Sequence, residues 1–278
     1  MPKLSFKTQW LLGIILLIFT ASCSKYQKLL KSDDVMLKKE KAFEYYYDED
    51  YHRALGLLTD IIPAFRGTAH AEQINYYYAM AHYKQRDYIL AAHYFKTFTQ
   101  GFPRSEHAEE FLFMSAYCKY LLSPRPSLDQ TETRTAISEL QSFINRYPQS
   151  QRVEEANDLI DELRLKLEQK AFQKAMLYFN IRDYMAAVTA FNIVIRDFPD
   201  TEYREQSLYY IIWAHHEFAE NSIIERQLER YQNVVRAHRR LENRFPESEL
   251  LPSANRMLIN AQSQIERLEE IAAAQANN

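Results

Sequence analysis

Four times along the chain an aromatic residue is followed by proline, a variable residue, and serine or threonine. The copies are Phe102-Pro103-Arg104-Ser105, Tyr147-Pro148-Gln149-Ser150, Phe198-Pro199-Asp200-Thr201 and Phe245-Pro246-Glu247-Ser248. Proline lacks the amide hydrogen that a continuing helix needs, so each string predicts a helix stop. The hydroxyl residue predicts an N-cap for the next helix, and an acid within a few positions suits that helix's positive end. Phe65-Arg66-Gly67-Thr68 is a degenerate fifth copy in which glycine does the stopping. A second string also recurs: Asp50-Tyr51-His52-Arg53-Ala54, Asp87-Tyr88-Ile89-Leu90-Ala91 and Asp183-Tyr184-Met185-Ala186-Ala187 predict one inter-helix turn three times. From Ala91 and from Ala187 the next aromatic, Phe95 or Phe191, is 4 residues on and the proline 12. The small alanine lets two antiparallel helices approach, and the aromatic fills the groove between them.

This pattern resembles the tetratricopeptide repeat, a helix pair of about 34 residues. The fold expected is all-α, a superhelical stack of about five such pairs with a C-terminal capping helix. Only 4 glycines and 9 prolines in 278 residues leave little room for long loops. The period is uneven. Pro103 to Pro148 is 45 residues, with the surplus at Ser123-Pro124-Arg125-Pro126-Ser127, and Pro199 to Pro246 is 47, with the surplus around Asn221 to Arg226. Pro148 to Pro199 is 51, and the stretch from Val153 to Asn180 holds no glycine or proline. It predicts one overlong helix of about 42 Å at roughly 1.5 Å per residue. The expected organisation is repeats 1–3 over 36–152, then the long helix, repeats 4–5 and the capping helix over 153–274. In the last helix Leu251, Ala254, Leu258, Ala261, Ile265, Leu268 and Ala272 form a narrow stripe. Such a stripe suits either a solenoid cap or a coiled coil. The tail from Gln275 should fray.

At the N-terminus Lys3 and Lys7 precede the apolar run Trp10 to Phe19 and the small residues Thr20-Ala21-Ser22, then Cys23. Residues 1–22 read as a secretory leader, its apolar run about half of the roughly 20 residues a membrane span needs. Cysteine directly after the small residues resembles the bacterial lipoprotein box, although Thr20 stands where leucine is usual. An ordinary leader with an incidental cysteine is the alternative. Acylation at Cys23 would anchor the mature chain through a lipidated linker over 23–35. With Ser24 rather than aspartate next, the lipoprotein sorting rule implies the outer membrane, with the body in the periplasm. Cys118 then has no partner for an intrachain disulfide and reads as a small core residue. Removing Lys3 and Lys7 takes the formal charge from −3 to −5, which argues against a nucleic-acid partner.

The sequence has no His-Glu-x-x-His, Cys-x-x-Cys or glycine-rich phosphate loop. Adjacent His215 and His216 diverge by about 100° on a helix and cannot share a metal. His82 and His93 should lie on facing helices, as structural histidines. Neither catalysis, a metal nor a dissociable cofactor is expected. Two features point to protein binding. Phe43, Tyr46, Tyr47, Tyr76, Tyr83, Phe113, Tyr117 and Tyr120 project onto the first helices of the N-terminal repeats, where they would line a groove for extended peptide. Packing between repeats is the alternative for any one of them. Arg226, Arg230, Arg236, Arg239, Arg240 and Arg244, set against Glu225, Glu229 and Glu242, give one segment a charge of +3. It reads either as a solvated face or as a dock for an acidic partner.

The combination of Cys23, about five repeats with their aromatic-Pro-x-Ser stops and the overlong central helix resembles the BamD family. These are lipoproteins of the outer-membrane β-barrel assembly machine. Cys23-Ser24-Lys25-Tyr26-Gln27-Lys28-Leu29-Leu30 and Lys84-Gln85-Arg86-Asp87-Tyr88-Ile89-Leu90-Ala91 carry the likeness further. The resemblance implies C-terminal repeats docked on a BamA-type insertase, and an N-terminal groove that meets unfolded β-barrel proteins. Another repeat-containing envelope or cell-wall scaffold lipoprotein is the alternative, and an enzyme of unknown type a third.

Overall fold

The computed structural model describes residues 25–276, and every regular element among them is a helix. Cys23 and the leader lie outside the described residues. After α1 (25–30) come α2 (Val35–Tyr47), α3 (Tyr51–Ile61), α4 (Ala71–Lys84), α5 (Tyr88–Gly101), α6 (Ala108–Leu122) and α7 (Thr131–Arg146). Then follow α8 (Val153–Asn180), α9 (Tyr184–Asp197), α10 (Arg204–Glu220), α11 (Ile224–Arg244) and α12 (Leu251–Ala276). The expected long helix is present as α8, at 28 residues. Among the described residues no helix is long and apolar enough to cross a membrane.

The two recurring strings build two kinds of turn. In the Asp-Tyr turns one aspartate serves both helices. Its N–H closes the helix before it, Asp50 on Tyr45 O at 2.8 Å, Asp87 on His82 O at 3.0 Å and Asp183 on Tyr178 O at 3.0 Å. Its carboxylate then caps the helix after it, accepting from the N–H of Arg53 (3.2 Å), Leu90 (3.3 Å) and Ala186 (3.2 Å). The residue before each aspartate, Glu49, Arg86 or Arg182, takes a left-handed conformation with φ of 61°, 62° or 64°.

All five aromatic-stop turns share one bonding pattern, including the degenerate copy. The N–H of Thr68, Ser105, Ser150, Thr201 and Ser248 donates to the carbonyl of Phe65, Phe102, Tyr147, Phe198 and Phe245. The hydroxyls do not cap helices as expected. Each accepts from the N–H two residues on, at 3.0–3.3 Å, inside the turn. The next helix starts three residues after the hydroxyl, at Ala71, Ala108, Val153, Arg204 or Leu251, so the side chain fastens the turn and not the helix end.

Two compact units result, one holding α1 to α7 with the start of α8, the other the rest of α8 through α12 with loop residues 125–130. In the first, Leu57, Leu58, Ile61 and Ile74 form one buried cluster, and Ala91, Phe95, Phe98 and Phe111 another. In the second, Ala187, Phe191, Leu208, Ile211, Ile212, Val234 and Leu241 are buried together. Each fully buried Phe contributes about 1.5–3 kcal/mol of transfer free energy. The Ala-Phe pairs picked out by spacing, Ala91 with Phe95 and Ala187 with Phe191, are all 0% exposed. The surplus before Pro148 is the loop between α6 and α7, where Gln130 Nε2 donates to the carbonyls of Arg125 (2.9 Å) and Leu128 (3.0 Å). The surplus before Pro246 is not a loop. It lengthens α10 to 17 residues and α11 to 21, leaving a short turn at Asn221–Ile223.

Candidate protein-binding faces

In the first unit the predicted aromatic residues converge on α2, α4 and α6, the first helices of three pairs. Phe43, Tyr46 and Tyr47 of α2 meet Tyr77 of α4 at ring separations of 4.6, 4.8 and 5.8 Å, and the Tyr47 and Tyr77 hydroxyls bond to each other. Tyr76 stacks on Phe111 of α6 at 5.1 Å and lies tilted against His107 at 4.5 Å. Two helical turns along α4, Tyr83 lies against Phe95 at 6.1 Å. On α6 the rings of Phe113, Tyr117 and Tyr120 stack in sequence, at 5.9 and 5.7 Å. Burial pushes the phenol of Tyr46 up to about 12, with Tyr76, Tyr51 and Tyr47 adding to it, so it stays a neutral hydrogen-bonding group.

Exposure sorts these residues. Tyr47 is 68% exposed and Phe113 only 1%. Phe113 is therefore removed from the groove set: Arg152 covers its ring at 4.8 Å, held there by Glu110 and Glu155. Phe43, Tyr46, Tyr76, Tyr83, Tyr117 and Tyr120 are half-buried. Their rings pack between repeats along one edge and show the other. A surface hollow of about 840 Å³ runs beside Met36, Leu37, Phe43 and Tyr47. A second, of about 440 Å³, lies against Tyr76, Tyr77 and His107, and Gln73 borders both. The result is an aromatic trough edged by Lys39, Glu40, Glu44 and Glu72. Sequence reasoning missed Tyr77 and His107. Tyr77 sits in the run Tyr76-Tyr77-Tyr78, one turn beyond Gln73, and that spacing was the available signal.

In the second unit the six arginines divide. Arg226, Arg236, Arg239, Arg240 and Arg244 are exposed, whereas Arg230 is half-buried. Its guanidinium lies 3.8 Å over the Phe218 ring and bonds to Ser222, which makes it a fastener of the α10–α11 turn and no docking residue. The other partners are neutral as well: Arg236 donates to Asn233 Oδ1 (2.5 Å) and Arg240 to Asn192 Oδ1 (3.1 Å). Arg236, Arg239 and Arg240 share one face of α11, at i, i+3 and i+4. The pKa of His215 on α10 is lowered to about 4, first by burial and then by Arg236 and Arg240. Positive charge therefore collects here.

The remaining candidates for chemistry are used inside the fold. His216, Glu217 and Glu220 bring ligand atoms within 4.8 Å of one another. Yet Glu217 accepts from Trp213 Nε1 (3.2 Å) and from the Tyr184 hydroxyl (3.4 Å), and His216 Nε2 is 3.0 Å from Asn260 Oδ1. His82 is buried, its ring stacked on Tyr94 at 5.0 Å, and burial lowers its pKa. Burial pushes the thiol of Cys118, 0% exposed, up to about 12, which leaves it an inert core side chain.

A family model described as YfiO, outer membrane lipoprotein, matches residues 38–230, from α2 into α11. No curated protein matches the chain. Among solved structures, a crystal structure of the P58(IPK) TPR domain aligns over 87% of this chain and 68% of its own, at 14% identity and a TM-score of 0.39. The TPR2AB-domain:pHSP90 complex of yeast Sti1 aligns over 87% and 95%, at 13% identity and a TM-score of 0.39. Neither is close enough to carry an argument about this chain.

Proposed function

The chain belongs to the YfiO outer membrane lipoprotein family, the family of BamD, and from that premise we propose that it is a periplasm-facing scaffold of β-barrel assembly. It is held to the outer membrane by acyl chains on Cys23, carries no dissociable cofactor and catalyses no reaction. The observation that carries this reading is the aromatic trough across α2, α4 and α6, with its two adjoining hollows.

An unfolded barrel strand alternates apolar and polar residues and often ends in an aromatic. Ring faces in the trough suit its apolar positions, and the phenols and Gln73 suit its backbone. Burying one aromatic contributes about 1.5–3 kcal/mol, largely offset by ordering the peptide. Affinity should then be roughly micromolar, weak enough for a strand to be passed on. The exposed Arg236, Arg239 and Arg240 would dock an acidic surface of a BamA-type insertase in the second unit.

The test is a photo-reactive peptide copying the last strand of a barrel protein. It should crosslink near Tyr46, Tyr47, Tyr76, Tyr83 or Tyr117, several-fold less in Tyr47→Ala/Tyr76→Ala, with circular dichroism unchanged. Crosslinks confined to the second unit, or indifferent to the peptide's final aromatic, overturn the capture role. Pull-down from detergent-solubilised outer membrane tests docking. An insertase should copurify and be lost, in a salt-sensitive manner, on reversing Arg236, Arg239 and Arg240 together. Recovery of cell-wall proteins instead would make the chain another kind of envelope scaffold.

A further inference from the structure

The stretch after Cys23, expected to be part of a linker, is folded onto the first repeat. Residues 25–30 are helical, and Tyr26, Leu29 and Leu30 pack against the cluster of Leu57, Leu58 and Ile61. The Tyr26 hydroxyl donates to Arg53 O at 3.2 Å, and a Cβ added at Gly56 would meet that hydroxyl at 2.2 Å, so the glycine makes room for the ring. Lys38, 5% exposed, donates to Leu30 O at 2.9 Å and pairs with Asp60, which ties down the end of α1. One face of α1 is thus committed to the repeat.

Lys25, Lys28 and Lys31 leave from the other side. At about 100° per residue they span an arc of roughly 120°, centred about 150° away from the face that carries Tyr26, Leu29 and Leu30. All three are exposed, and residues 25–32 contain no acid. Of the two acids that follow, Asp34 is turned away to cap α2, accepting from Leu37 N at 2.9 Å. The first of the lysines is two residues from Cys23.

We propose that this lysine stripe is a membrane-contact surface that takes the phosphates of anionic phospholipid headgroups. It would fix the orientation of the first repeat on the bilayer and not leave it to swing on its anchor. The inference rests on the acyl anchor of the proposed function, which brings a bilayer within reach of α1. The occupant follows from charge and position: a lysine near an anionic surface gains about fivefold in partition, so three gain on the order of a hundredfold, and only within a Debye length. A chain acylated at Cys23 brings the start of α1 inside that length and lets the rest lie along the surface, whereas a protein partner would have to share the space with the bilayer.

The experiment uses the full mature chain in two forms. With Cys23→Ser, so that no acyl chain contributes, the protein should pellet with phosphatidylcholine vesicles carrying about a third phosphatidylglycerol, and not with phosphatidylcholine alone. Lys25→Glu/Lys28→Glu/Lys31→Glu should lose that binding by at least tenfold. The same charge change at exposed Lys84, Arg164 and Lys174 should not. In the acylated protein, brief amine acetylation read by mass spectrometry should show Lys25, Lys28 and Lys31 protected several-fold on the anionic vesicles, and Lys84 and Lys174 unprotected. Equal binding by the stripe variant, equal loss in the control, or no protection on the bilayer overturns the proposal. Failure of the anchor itself is read separately, as an unmodified Cys23 in the intact mass of the mature N-terminus.

Discussion

In the first unit the Tyr47 and Tyr77 hydroxyls bond to each other at an exposed edge, beside two hollows; in the second, two phenols and an indole bond to a carboxylate or a serine of the same unit. Trp213 and Tyr184 donate to Glu217, and the Tyr209 hydroxyl pairs with Ser253 Oγ at 3.0 Å. Their rings form a packed series: Phe191 on Tyr210 at 5.5 Å, Tyr210 on Trp213 at 5.9 Å and Phe179 against Trp213 at 5.0 Å. The two units share the same turns and the same Ala-Phe core pairs. What separates these two sets of aromatics is the partner of the phenol or indole. A carboxylate or serine within the fold turns an aromatic into packing, and its absence leaves a ring edge for a ligand. The second unit presents arginines instead, on a second helix of a pair.

The largest expected effect tests what the units share. Phe95→Ala and Phe191→Ala should each cost about 3–5 kcal/mol in urea unfolding, because both rings are fully buried at the same repeat position. A cost below about 1 kcal/mol at either would end the equivalence of the two cores. The next effect tests the difference. Tyr210→Ala, which removes a ring stacked on two neighbours, should cost about 2 kcal/mol or more, against less than about 0.5 kcal/mol for Tyr47→Ala. The opposite order would make the first unit's aromatics structural and the second's available.

His215 sharpens the picture of the arginine face. Its pKa is lowered to about 4 in the folded chain, so between the usual value near 6.5 and 4 the unfolded chain takes up a proton that the folded chain refuses. Stability from this group is full above that window and falls as pH drops through it. Arg236→Gln/Arg240→Gln should raise the pKa toward, without reaching, the ordinary value, since burial is the larger cause. The titration of the His215 ring by NMR checks both points, and an unchanged midpoint in the variant would place the guanidinium groups elsewhere.

The smallest effect concerns the turns. Arg86 and Arg182 hold φ near 60°, which costs a side-chain-bearing residue about 1 kcal/mol and glycine almost nothing. Arg86→Gly and Arg182→Gly should each raise stability by about 0.5 kcal/mol after glycine's own entropy is counted, read as a small rise in melting temperature. A loss at either would show that the arginine side chain does more than occupy the turn.

Residue chemistry alone determined the punctuation of this protein. Proline cannot continue a helix and aspartate can both end one and cap the next, so the Phe-Pro and Asp-Tyr strings marked the turns, the pairing of helices, the long α8 and the Ala-Phe core without reference to anything distant in the chain. The Cys23 box is equally local, and so was the likeness to a family. Three matters were decided only by packing between helices. The extra residues near Asn221 became helix and not loop because the added turns of α10 and α11 carry side chains into the core, Ala219 and Leu228 among them. Phe113 went into the core and Arg230 onto Phe218, although sequence spacing set them with their neighbours on a binding face. Tyr77, one of three consecutive tyrosines, became the centre of the trough because Phe43, Tyr46 and Tyr47 of α2 close on its ring. Periodicity gives the face of a helix on which a side chain stands, but whether that face meets another helix or water depends on residues far away in sequence, and only the folded chain brings those together.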